Sequence, residues 1–305
     1  MPTDDWRALY PFESHWHALP AWRMHYVDRG PAGRPQGTLL FVHGNPTWSF
    51  HWRGLITALE DDYRCVAIDH VGCGLSDKPQ RVLHLADHID HLVSLCDELQ
   101  LERVTLVAQD WGGAIGLGTL LQRPQRFERL VLFNTGAFPP WYIPWRIAVC
   151  RWPVVGRLAV QGGNAFARAA LRMTLNRRKR LEGAVEAGCL APYDSWAHRR
   201  QIYEFVADIP MHSSHPTWST LEEIDRHLPT LAELPSLLVW GMRDWCFRPD
   251  CLEKFVGYWP QAEVHRLADV GHWVVEDAPE EAISLVEQFL TRTKALTSPR
   301  AAADY

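Results

Sequence analysis

The sequence predicts an α/β fold: a mainly parallel sheet flanked by helices, with a helical unit inserted in the middle of the chain. Three observations carry this reading. Short apolar, β-branched runs bounded by Gly, Asp and Pro recur along the chain, helical periodicities fall between several of them, and the alternation breaks off over residues 136–216.

In order, the strand signals are Leu39–Val42, Cys65–Ile68, Val104–Ala108, Leu130–Phe133, Leu237–Trp240 and Val264–Leu267. Residues Leu83–Leu99 place Leu85, Ile89, Leu92 and Cys96 on one helical stripe. The stretch GGAIGLGTLLQR after Trp111 is the next helix, and Pro279–Leu290 opens with proline and glutamates as a helix start should. Strands alternating with helices in this way build a sheet covered on both faces. The segment from Gly136 to Pro216 is rich in Trp and Arg and has no strand signal. We therefore divide the chain into an α/β core, 1–136 and 217–305, and a helical cap, 137–216, over the strand ends where an open sheet holds its ligand. The tail Thr297–Tyr305 is expected to fray.

Composition narrows the function classes. The chain has 305 residues, 47% of them hydrophobic and 22% charged, as in an ordinary globular protein. Its net charge of −5 gives no footprint for nucleic acid. The basic run Asn176–Arg180 is expected to be a solvated helix face, with a docking patch as the other reading. Seven cysteines form no CxxC pair, so they read as reduced thiols and not as metal ligands. The acidic N-terminus MPTDDWRALYPF does not resemble a signal peptide, and no apolar run is long enough to span a bilayer. The expected compartment is the cytoplasm. Fifteen tryptophans, many within the first 60 residues and the middle third, suggest apolar pockets or contact surfaces.

The chemistry centres on VAQDWGG, residues 107–113. Asp110 sits at a sharp strand-to-helix turn, flanked by small Ala108, Gly112 and Gly113, in the small-x-nucleophile-x-small pattern of a nucleophile elbow. An Asp that merely capped the following helix would need none of these small neighbours. Asp244 in VWGMRDW and His272 in LADVGHWVVED then follow successive strands, in the chain order nucleophile, acid, histidine of an α/β-hydrolase triad. His272 is positioned to deprotonate water while Asp244 holds its tautomer.

FVHGNPTWSF at 41–50, DHVGCGLSDKP at 69–79, VAQDWGG at 107–113 and GHWVVED at 271–277 together resemble the haloalkane dehalogenase branch of the α/β-hydrolases. The resemblance implies that Asp110 attacks an electrophilic carbon, while Asn45 and Trp111 donate hydrogen bonds to the departing anion and their backbone N–H groups line an oxyanion hole. One dehalogenase subgroup carries a glutamate after the strand that follows the elbow helix. Here that position is Asn134, so the acid falls to Asp244, as in the third subgroup. The cap segments APYDSWAHRRQIYEFVADIP at 191–210 and SSHPTWSTLEEI at 213–224 resemble more closely the β-lactone decarboxylases of bacterial long-chain olefin biosynthesis, the OleB type. That resemblance implies a cis-β-lactone with two long alkyl chains as substrate, and a cis-olefin with carbon dioxide or bicarbonate as products. It also implies a multi-enzyme assembly with the other enzymes of the olefin pathway, such as the β-lactone synthetase. Haloalkane dehalogenase is the alternative, and epoxide hydrolase, which uses cap tyrosines as acids, a more distant one, with Tyr142, Tyr193 and Tyr203 as its candidates. Whether attack falls on the lactone carbonyl or on the ring C–O carbon stays open at this point.

Other features carry less. His84, His88 and His91 have the spacing of metal ligands on a helix, but are expected to face water opposite the apolar stripe. GCGLSD at 72–77 half matches a dinucleotide fingerprint without its context, so no cofactor is assigned. The apolar stretch 141–160 is broken by prolines and arginines, and reads as cap core, acyl-chain tunnel or docking face.

Overall fold

The computed structural model describes residues 5–294; the tail 297–305, expected to fray, lies outside them. Two strands precede the first one read from the sequence, β1 (His15–Ala18) and β2 (Arg23–Arg29). Both are partly exposed and alternate polar with apolar residues, so they show no continuous apolar run. There follow β3 (Thr38–Val42), α1 (Arg53–Leu59), β4 (Arg64–Ile68), α2 (Leu85–Glu98), β5 (Val104–Asp110), α3 (Trp111–Gln122) and β6 (Phe127–Thr135). Helices α4 (Trp145–Cys150), α5 (Val155–Gln161), α6 (Ala165–Met173), α7 (Gly183–Leu190) and α8 (Arg200–Ala207) come next with no strand among them. The chain returns through α9 (Pro216–His227), β7 (Ser236–Gly241), α10 (Pro249–Tyr258), β8 (Glu263–Leu267), α11 (Val274–Asp277) and α12 (Pro279–Thr293).

The eight strands form one sheet in the order β1-β2-β4-β3-β5-β6-β7-β8, with β3 to β8 parallel and β1 and β2 antiparallel at one edge. Successive residues of the central strands enter opposite layers. Leu40, Val42, Leu106 and Ala108 pack toward α2, α3, α9 and α10, whereas Leu39, Phe41 and Val107 pack toward α1 and α12. Both faces are thus covered, which is why these strands read as unbroken apolar runs. The carboxyl ends of β3, β5, β6, β7 and β8 lie side by side, and every residue of the expected triad leaves from them.

The insertion α4–α8 is tied to the core by buried polar contacts. Trp48 Nε1 donates to Gly188 O at 2.9 Å, and Tyr193 Oη donates to Thr47 O at 2.9 Å. The basic run departs from the solvated helix expected of it: it is a loop after α6, wrapped around the buried carboxylate of Asp277. Backbone N–H groups of Asn176, Arg177 and Arg178 donate to Asp277 at 2.8, 3.2 and 2.9 Å, and Gly271 N donates to it at 2.8 Å. Arg177 pairs with Asp269 and Glu281, and Arg180 with Glu186.

The water-facing histidine stripe also fails. His88 is buried, with its ring stacked on Phe205 of α8 at 4.7 Å. It stands three residues after Leu85 and four before Leu92, which puts it on the apolar flank of α2. His84 Nδ1 contacts Asp208 at 2.5 Å, and the same carboxylate accepts Leu85 N at the start of α2. These histidines join the insertion to the core.

Candidate active site

Asp110 ends β5 with φ 55° and ψ −131°, a backbone state that costs a non-glycine residue about 1–3 kcal/mol. Its surroundings enforce it. A Cβ on Gly112 would strike the β3 backbone at Val42, one on Gly113 would strike Thr135, and one on Gly44 would strike the Asp110 side chain itself. Thr135 Oγ1 donates to Asp110 O across the β5–β6 register shift. The turn thereby lifts the carboxylate off the sheet at the start of α3.

The two carboxylate oxygens of Asp110 are in different environments. Oδ1 accepts the backbone N–H of Asn45 at 2.7 Å, and Oδ2 lies 3.5 Å from His272 Nε2. The expected oxyanion hole is therefore occupied on its Asn45 side by Asp110 itself. The Asn45 amide spends one N–H on the α8 carbonyl of Ile202 at 3.0 Å, which leaves its second N–H for an anion. Trp111 lines the same cavity, its indole packed on Phe205 at 5.5 Å.

The structure brings His272 and Asp244 together. His272 Nδ1 is 2.7 Å from Asp244 Oδ2, and both side chains are buried. Asp244 Oδ1 accepts Cys246 N at 2.7 Å, and its Oδ2 also accepts Asn134 Nδ2 at 2.9 Å. Burial works against a charged His272, but the Asp244 carboxylate and the nearby Asp110 outweigh it and raise its pKa to about 10. The two carboxylates favour the charged imidazolium, which works against His272 as a general base while both are ionised, a restriction that the residue pattern did not reveal.

Two residues escaped the sequence reading. Gln109 Nε2 donates to the His272 carbonyl, and its Oε1 is 2.5 Å from His51 Nε2. Burial lowers the pKa of His51 to about 4, so its neutral ring donates through Nε2 to that oxygen. Behind it Arg53 clamps Glu276 at 2.5 and 2.9 Å. The available signal was Gln109 itself, a polar residue inside an otherwise apolar strand run.

Asp110, Asn45, Trp111 and His272 open into a cavity of about 470 Å³ between the strand ends and the insertion. Its walls are mostly apolar, with Phe138, Ile143, Phe166, Val206 and Leu221 among them. Of the tyrosines considered as acids only Tyr142 lines it; Tyr193 Oη is spent on Thr47 O, and Tyr203 Oη is 3.5 Å from Pro153 O.

A family model described as the alpha/beta hydrolase fold matches residues 37–279. The chain is 38% identical to a cis-3-alkyl-4-alkyloxetan-2-one decarboxylase of Shewanella oneidensis, over 97% of this chain and 94% of that protein. It is 37% identical to a protein of the same name from Xanthomonas campestris pv. campestris, over 90% and 94%. The crystal structure of haloalkane dehalogenase DbeA from Bradyrhizobium elkani superposes with a TM-score of 0.84 at 26% identity, covering 94% of this chain and all of that one.

Proposed function

Because the chain belongs to the α/β-hydrolase fold family, and within it to the lineage of the cis-3-alkyl-4-alkyloxetan-2-one decarboxylases, we propose that it converts a cis-β-lactone bearing two long alkyl chains into a cis-olefin and carbon dioxide. Residues 137–216 act in this reading as the cap that closes over the chains. Asp110 is the nucleophile, His272 and Asp244 its charge partners, and Asn45 and Trp111 the donors to the anion that departs.

One observation carries the choice of electrophile: the Asn45 N–H already holds Asp110 Oδ1, so a lactone carbonyl oxygen would have to displace it from the Asn45 side of the backbone hole. Attack by Oδ2 on the ring carbon that bears oxygen avoids that competition. The new C–O bond forms with inversion as the ring C–O bond breaks, which leaves an Asp110 alkyl ester and a carboxylate within reach of Asn45 and Trp111. The carboxylate then leaves as carbon dioxide. Its C–C bond pair becomes the double bond and expels Asp110 Oδ2, which regains its charge 3.5 Å from the His272 imidazolium. Inversion followed by anti elimination keeps the two chains cis, and no water is consumed.

The test offers a purified preparation a cis-dialkyl β-lactone and a terminal bromoalkane in H₂¹⁸O. Olefin forms with far higher kcat/KM than halide, since binding energy from the remote chains is used at the reacting carbon. The Asp110 peptide stays unlabelled after lactone turnover. Label in Asp110 would mean hydrolysis of its ester, and robust halide release without olefin would make the chain a dehalogenase.

The free cysteines support a cytoplasmic setting. Among the described residues no helix is long and apolar enough to cross a membrane. A strained lactone of low solubility also favours a neighbouring enzyme that forms the ring, such as the β-lactone synthetase of the olefin pathway.

A further inference from the structure

The insertion presents a large apolar surface outward. Trp141, Tyr142, Trp145 and Met173 are 51%, 41%, 69% and 38% exposed, yet all four line the catalytic cavity, so they form its rim. Beside them, Trp152, Val154, Val155 and Leu158 at the start of α5 are 59%, 72%, 50% and 59% exposed and do not line that cavity. Isolated exposed apolar residues need no explanation, but a cluster with three bulky indoles does.

Charge singles out the same segment. From Trp141 to Leu181 the chain has nine Lys and Arg residues and no Asp or Glu, although the whole chain carries −5. Arg146 lies over the exposed Trp145 ring at 5.1 Å. The side chains of Arg146, Arg172, Arg178 and Lys179 have no carboxylate partner among the described residues, and all four are exposed. Tryptophans with arginines at their flanks, on short helices that cannot span a bilayer, are what a surface needs to sit at the headgroup level of a negatively charged membrane. A neutral protein partner would account for the apolar residues but not for the basic excess; an acidic one would meet the charge, and the short helices with tryptophan beside arginine favour the bilayer over it.

We propose that this face, α4, α5 and the basic loop after α6, docks on an anionic lipid bilayer and holds the cavity mouth against it. Docking stands on the surface alone; its use, drawing a two-chain lactone out of the bilayer, rests on the function proposed above. Full-length protein is floated with vesicles of phosphatidylcholine, with and without phosphatidylglycerol, and bound fractions are read across a salt series. Binding to the anionic vesicles is expected, weakening with salt. Trp152→Ser, Val154→Ser and Leu158→Ser together lower it at least about tenfold with Tm and turnover of a short-chain lactone unchanged. Arg178→Glu with Lys179→Glu removes the preference for anionic lipid. Failure to float at low salt overturns the proposal, as does equal binding of the triple variant. So does an oligomer, indifferent to vesicles, that the triple variant disperses, which would make the face a protein interface. Because flotation is read without turnover, a protein that floats but makes no olefin would overturn the activity and leave the docking intact.

Discussion

Asn134 donates its side-chain N–H to the same oxygen of Asp244, Oδ2, that faces the His272 ring, while its own Oδ1 accepts Gly241 N at 2.7 Å. The Asn134 amide thus fixes the carboxylate that faces His272. Asn134→Ala leaves a buried carboxylate oxygen and a buried N–H each short of a partner. Loss of about 1–3 kcal/mol of stability is expected, with about tenfold lower kcat and little change in KM. Thermal unfolding and steady-state kinetics check both.

Asp110→Ala abolishes turnover of lactone and haloalkane alike, because no neighbouring group can take the place of the elbow carboxylate. A rate above about a tenth of wild type, measured as olefin, removes Asp110 from the nucleophile role.

His272→Ala lets the ester form but deprives the expelled Asp110 of its facing cation. Turnover falls at least about a hundredfold, and intact mass shows a lactone adduct on Asp110. A slow variant with no adduct places the histidine in the first step instead.

With its pKa raised to about 10, His272 is expected to stay charged through the neutral range. Olefin formation is therefore flat across neutrality and declines as pH climbs toward 10. Asp244→Asn withdraws the main charge that raises the pKa and draws this decline to lower pH. A rate that instead rose with pH through the same region would demand a neutral base. The stability consequence has the same sign. The folded pKa lies above 6.5, so the pairing stabilises the fold fully below about pH 6.5 and is lost as pH rises through about 10.

Gln109 acts by positioning: it holds the His272 backbone and is itself held by His51. Gln109→Leu lowers kcat about tenfold while KM for the lactone holds, since the side chain has no place in the cavity lining. An equal rise in KM would mean the strand itself has shifted.

The elbow turn was legible because it depends on local chain geometry: a strained turn demands small neighbours at fixed offsets, and Ala108, Gly112 and Gly113 supply them. The parallel strands were legible because two-sided burial writes itself as an apolar run. β1 and β2, solvated edge strands, leave no such trace. Long-range pairing was the other blind spot. The basic run resembles a charged helix face until Asp277, a hundred residues on, is seen gathering its backbone. His88 was within reach, since its offsets from Leu85 and Leu92 already placed it inward. The charge state of His272 could not be read from residue types, because it depends on two carboxylates brought together from remote strands.

The Asp277 cradle sets where this protein can be cut and recombined. Gly271, one residue before His272, and the loop 176–178 of the insertion share that single carboxylate, and Trp273 N donates to Thr174 O beside it at 3.1 Å. A chimera that imports a foreign insertion with junctions at 136 and 217 would bring a new loop to an old carboxylate and disturb the histidine, whatever cavity it builds. Shuffled variants should instead inherit 174–178 and 269–277 from one parent, as a linked pair.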